Sequence, residues 1–203
     1  MILWPSDRSG GTPSGGTLVH IGFGVDERFW AVVEEAWYAL LQISEALSNP
    51  LIAAGVVLGA VALGAGGWFA AVRCGWRPVP SVLAGISLGV VLGVTFSRTL
   101  PDWAGRDQFC QLNGFSLNGS AELLNALLFV PLVFCAVLAT RRPLAVAVSG
   151  VALSAVIEIV QPLTRRGLCE TQDFLNNSAG AVVAAALAAG VVVLERRRRA
   201  VAR

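Results

Sequence analysis

The chain has no lysine, one histidine, one methionine and one tyrosine, and only 14% of its 203 residues are charged. A soluble domain carries about 25% charged residues, so an ordinary water-facing enzyme is excluded. His20, the single histidine, falls in an N-terminal tail rich in Gly, Ser, Thr and Pro. That leaves no histidine metal site, general base or Ser–His–Asp triad elsewhere in the chain. There is no CxxC pair for a structural zinc site, and no Walker A or GxGxxG motif following a strand. No metal and no cofactor is expected. The short alternating segments of an outer-membrane barrel are missing too.

Long continuous apolar runs are present instead. Hydrophobic residues make up 55% of the chain, and the mean hydropathy is +0.68. Disorder over most of the length is excluded, since it needs low hydrophobicity and high charge. A membrane span needs roughly 20 apolar residues. Five stretches qualify, at about Leu51–Val72, Val79–Ser97, Leu123–Ala139, Leu144–Gln161 and Phe174–Leu194. The fold expected is all-α, a polytopic transmembrane helical bundle of about five spans. Gly55 and Gly59 have GxxxG spacing, which suits close helix contact in lipid.

Residues 26–49 read as an amphipathic helix lying on the membrane surface. Phe29, Trp30, Val33, Trp37, Leu40, Leu41 and Leu47 are apolar, and Glu34, Glu35 and Glu45 interrupt them. Carboxylates at the centre of a span are costly, so an interfacial position is preferred. The alternative is a sixth span, which would put the N-terminus inside. The layout is then a disordered tail over 1–25, the amphipathic helix over 26–49, an added span and loop over 50–78, a membrane domain over 79–195, and a basic tail over 196–203. No cleavable signal peptide is expected at the start.

Arginine placement orients the bundle. One set of loops holds Arg73, Arg77, Arg141, Arg142, Arg196, Arg197, Arg198, Arg199 and Arg203; the alternate set holds Arg98, Arg106, Arg165 and Arg166. The excess of Lys and Arg marks the cytoplasmic side, so the C-terminus is expected in the cytoplasm and the N-terminus outside. The Arg196–Arg199 run reads as a cytoplasmic stop in contact with lipid phosphates, and no nucleic-acid partner is expected. Cys110 and Cys169 fall in the two outward loops, where an oxidising compartment preserves disulfides. A Cys110–Cys169 bridge is therefore expected.

Polar residues inside the spans carry the functional reading. Ser154, Glu158 and Gln161 are spaced i, i+4 and i+7 and share one helix face. Asp173 and Asn177 share a face of the last span, and Glu122 and Asn125 lie one turn apart at the start of the third. Pro131 is expected to kink that helix. An intramembrane carboxylate points to function by default. The bland alternatives are a structural carboxylate for Glu158 and a helix cap for Asp173. All these groups fall at outer-leaflet depth, with Arg165 and Arg166 in the loop above. Together they suggest a polar pocket for an amphiphile.

At these residues the sequence resembles the VanZ-like family of bacterial membrane proteins. In ELLNALLFVP, Asn125, Phe129 and Pro131 look like the family's Asn, aromatic and Pro. In SAVIEIVQPLTRRGLCETQDFLNNSAGA, the positions Ser154, Glu158, Gln161, Asp173, Asn177 and Gly180 match the family's order and spacing. The resemblance covers about residues 83–194. Val133 stands where the family commonly has Gly, and either Arg165 or Arg166 matches the loop arginine. The acidic run before Asp173 is thinner here, reading Glu170-Thr-Gln. The resemblance implies a polytopic protein of the bacterial cell membrane. The family takes its name from a member linked to resistance against teicoplanin, a lipid-tailed glycopeptide.

Three readings follow. The first is a non-enzymatic protein that binds or shields an envelope lipid or lipid-tailed molecule. Its ligand would meet Asn125, Ser154, Glu158, Gln161, Arg165, Arg166, Asp173 and Asn177. The second is an intramembrane enzyme acting on a lipid-linked substrate, with Glu158 and Asp173 as acid and base. The third is a structural role in which the polar face holds helices together.

Overall fold

The computed structural model of the chain describes residues 37, 41, 44, 47–96, 110–117 and 120–202. It is an all-α bundle with five helical stretches long and apolar enough to cross a membrane. They are α1 (Pro50–Cys74), α2 (Pro78–Phe96), the pair α3 (Ser120–Leu128) and α4 (Val130–Thr140), α5 (Pro143–Leu163) and α6 (Thr171–Val201). Each covers the expected apolar run to within a few residues, except that α6 continues through the basic tail. Two short strands, β1 (Cys110–Gln111) and β2 (Cys169–Glu170), pair in parallel. The tail over 1–25 lies outside the described residues. So does the placement of the helix expected over 26–49, of which Trp37, Leu41, Ser44, Leu47 and Ser48 are described and helical.

Local sequence sets the helix ends. Proline occupies the first turn of α1, α4 and α5, where its missing N–H costs nothing. Asn49 Oδ1 caps α1 by accepting from the Leu51 N–H at 3.0 Å. Gly75 closes α1 at φ +67°, and its N–H donates to the Ala71 carbonyl. The third span breaks at Phe129 because Pro131 has no N–H to return to Leu127. This is the interruption expected at Pro131.

α1 and α2 form an antiparallel hairpin. A side chain on Gly89 would collide with the Gly59 backbone, one on Gly85 with the Leu63 carbonyl, and one on Gly67 with the Ser81 carbonyl. Close backbone approach lets dispersion hold the pair where no water is expelled. Of the expected Gly55–Gly59 pair, Gly59 takes part in this contact. The other half of it is the Gly85–Gly89–Gly93 row of α2.

α6 is the central element and packs against α3, α4 and α5. Its Ala181, Ala184, Ala185, Ala188 and Val192 meet Phe129, Val133 and Val137, with Ile157 of α5 and Val91 of α2. Many large apolar side chains, such as Leu51, Leu144 and Leu187, point outward, as hydrocarbon surroundings require. At one end of the bundle, Glu195 of α6 pairs with Arg77 at 3.3 Å and Arg141 at 2.9 Å. At the other end lie β1, β2 and the polar residues of the spans.

Candidate functional site

Cys110 and Cys169 are joined by a disulfide across 59 residues of sequence. The expected bridge is therefore formed, and it sits at the head of the β1–β2 pair, with Gln111 opposite Glu170. Thr171 extends the clamp. Its Oγ1 donates to the Asn113 carbonyl at 2.6 Å and accepts from the Asn113 N–H at 2.8 Å. The segment after β1 is thus fastened to the start of α6.

This clamp presents the Glu170 backbone to α5. Glu158, only 5% exposed, accepts the Glu170 N–H on Oε2 at 2.9 Å. One turn deeper, Ser154 is fully buried, with Oγ 3.5 Å from the Phe174 carbonyl oxygen. Pro162 has no N–H to give to the Glu158 carbonyl, so α5 is loosened just above this carboxylate.

The first turn of α6 meets α3. Asn125 Nδ2 donates to Asp173 Oδ1 at 2.6 Å, and Gln172 Nε2 donates to Glu122 Oε1 at 3.3 Å. Helix α6 begins at Thr171 with Glu170 in the capping position. Asp173 is therefore not the cap of this helix; its carboxylate reaches across to α3. Close approach is enforced two turns further in, where a side chain on Gly180 would strike the Ala126 carbonyl.

Other expected residues occupy the rim. Gln161 packs its side chain against Gly167, and its carbonyl accepts from the Arg166 N–H at 2.9 Å. Arg165 takes a left-handed conformation at φ +55° in the same turn. Both arginines are engaged with partners. The only ion pairs between described residues that involve a carboxylate lie at the far end, on Glu195. Desolvation pushes the Glu170 carboxyl above its ordinary range, and the negative charges of Asp173 and Glu122 push it further. The carboxylates of Glu122, Glu158, Glu170 and Asp173 all lie along this wall. Among the described residues, no three acidic, cysteine or histidine side chains are grouped to hold a metal ion.

Below this wall lie two asparagines in the apolar interior. Asn177 is 5% exposed and its Oδ1 has no hydrogen-bond partner. Asn176 is 0% exposed, and neither its Oδ1 nor its Nδ2 has one. Sequence reasoning singled out Asn177 and missed Asn176. The signal was the row at every fourth position, Asn176, Gly180, Ala184, Ala188 and Val192, whose five members are all buried. Gln172 and the Thr171–Asn113 contact were also missed.

The family model for VanZ/LLP1 matches residues 88–194. That is more than half of the chain, and it holds every one of the site residues just described. The chain belongs to the VanZ-like family. No curated protein and no solved structure matches it.

Proposed function

We propose that this protein binds or shields a lipid or lipid-tailed molecule at the outer leaflet of the bacterial cell membrane. In this reading the C-terminus is cytoplasmic, following the arginine distribution. The disulfide end, with Glu158, Asp173 and the two asparagines, then faces outward.

The observation that carries the reading is the pair Asn176 and Asn177. A buried amide without a partner costs free energy of roughly 1–3 kcal/mol. In lipid there is no water to relieve it. A bound head group that offers both donors and acceptors would relieve it, while its tail lies between the apolar helices. The open amide oxygens of Asn176 and Asn177 suit a head bearing hydroxyl or amine donors. The lipid tail of teicoplanin gives the family's namesake resistance the same amphiphilic shape, and shielding of such a molecule is the extension we draw for this chain.

A structure of the chain purified with its native lipids tests this directly. Head-group density against Asn177 and Glu158 is the expected result. A dry cluster, with the asparagines satisfied by protein alone, would return the site to a structural role. The enzymatic reading draws on Glu158 and Asp173 lying at the same end of the bundle, one bonded to the Glu170 N–H and the other to Asn125. Glu158→Gln separates the two. It keeps the shape and the acceptor, so binding falls only in part, whereas acid–base turnover of a lipid-linked substrate would cease.

A further inference from the structure

A second feature lies at the opposite end of the bundle, away from the polar cluster. Between α1, α2 and α4 runs an apolar groove of about 280 Å³. Its lining extends from Trp76 and Thr140 at the arginine end to Leu63, Leu88 and Leu132 further in. Ser81 and Leu88 both line it, so it climbs about 10 Å along α2 at 1.5 Å per residue. The space exists because the facing positions are small. A side chain placed on Gly66 would meet nothing within 4 Å. Water needs polar partners to occupy such a void, and this one has few.

Charge at the mouth specifies the occupant. Trp76 and Thr140 of the lining are followed directly by Arg77 and Arg141, and the Arg77 N–H donates to the carbonyl of the lining residue Ala139 at 3.3 Å. The two guanidinium groups share a single carboxylate, Glu195. Their side chains stay 40% and 27% exposed. Arg73 lies one turn beyond Ala70 of the lining, its guanidinium 5.2 Å from the Phe69 ring centre. Arg199 also acts on Glu195. Cations outnumber carboxylates around the opening.

We infer that this groove seats one acyl chain of an anionic phospholipid of the cytoplasmic leaflet, with its phosphate against Arg77 and Arg141. The inference does not depend on the outer site and rests only on the orientation proposed above. An acyl chain fills the void that the small residues leave, and the unbalanced arginine charge holds the head. Trp76 lies between chain and head, at the depth where indole rings favour the membrane interface.

Quenching of tryptophan fluorescence in nanodiscs tests it. The full chain is placed in discs with a trace of acyl-brominated phosphatidylglycerol or of acyl-brominated phosphatidylcholine. The Trp76→Phe variant is subtracted to isolate the Trp76 signal. The wild type should prefer the anionic probe by about fivefold, one unbalanced charge's worth near a membrane surface. Gly66→Leu should remove the saturable quenching of Trp76, and Ala70→Leu fills the same groove should Gly66→Leu fail to fold. Arg141→Asn, which tolerates the left-handed φ of +58°, should remove the preference and leave equal quenching by both probes. Equal quenching in the wild type means bulk lipid contact and overturns the inference. Unchanged quenching in the folded groove-filling variant overturns it as well.

Discussion

Glu158 of α5 accepts a 2.9 Å hydrogen bond from the backbone N–H of Glu170, the residue that follows the disulfide-bonded Cys169. A helix side chain and a loop backbone are thus held by one clamp. Glu158→Gln retains an acceptor at this position and should fold at near wild-type stability. Glu158→Ala leaves a part-buried N–H without its partner, a loss of about 1–3 kcal/mol. Thermal unfolding in detergent, followed by circular dichroism, checks the order. Equal loss in both variants would mean that the charge, not the acceptor, matters there.

The disulfide spans 59 residues, and loop closure of that length contributes up to about 4 kcal/mol. Membrane insertion already restrains both ends, so Cys110→Ser should cost less, about 2 kcal/mol. It should also release the segment after β1 to protease. Non-reducing digestion should yield the Cys110 and Cys169 peptides joined, with Cys74 and Cys135 unpaired. Cys74 is exposed at the arginine end. A membrane-impermeant maleimide should therefore label it only after the cells are opened; labelling in intact cells would reverse the proposed orientation.

Gly180 and Gly190 lie on the same helix with opposite surroundings. A side chain at Gly180 meets the Ala126 carbonyl, whereas one at Gly190 meets nothing within 4 Å. Gly180→Val should separate α6 from α3 and cost about 1–3 kcal/mol. Gly190→Ala should be neutral or stabilising by up to about 1 kcal/mol, from helix propensity. Melting temperatures of the two variants check this contrast.

Glu170 supplies a pH dependence. Its carboxyl is raised by burial and by Asp173 and Glu122, so the folded state binds its proton more tightly than the unfolded chain. The stabilisation is fully present below the ordinary value of 4.5 and is lost as pH rises through the folded-state value. Protease resistance of the clamped segment should fall as pH rises through that window. Glu170→Gln should flatten the profile, and an unchanged profile in that variant would assign the dependence to another group.

Much of this architecture is legible in the sequence. Hydropathy finds the spans because a chain in lipid must satisfy its own backbone, which ties helix length to bilayer thickness. The Cys110–Cys169 bridge follows once both cysteines fall in loops on one side. Contacts that depend on a partner were harder to see. Gly55–Gly59 and Gly85–Gly89–Gly93 have the same spacing, and only the neighbouring helix decides which of them is used. The bond from Glu170 N–H to Glu158 involves a backbone group and leaves no residue pattern. Glu195 lies beyond the apolar run, and its pairing with Arg77 and Arg141 needs three helices to be docked first.

Native mass spectrometry of the purified chain tests the central claim, that Asn176, Asn177 and the acceptors above them receive the head of an amphiphile. The account predicts one tightly retained lipid-like molecule per wild-type chain at the outer site. It predicts loss of that molecule in Asn177→Leu and Asn176→Leu and its retention in Gly190→Ala. A wild-type chain that sheds all lipid, or asparagine variants that hold the same molecule equally well, would contradict it.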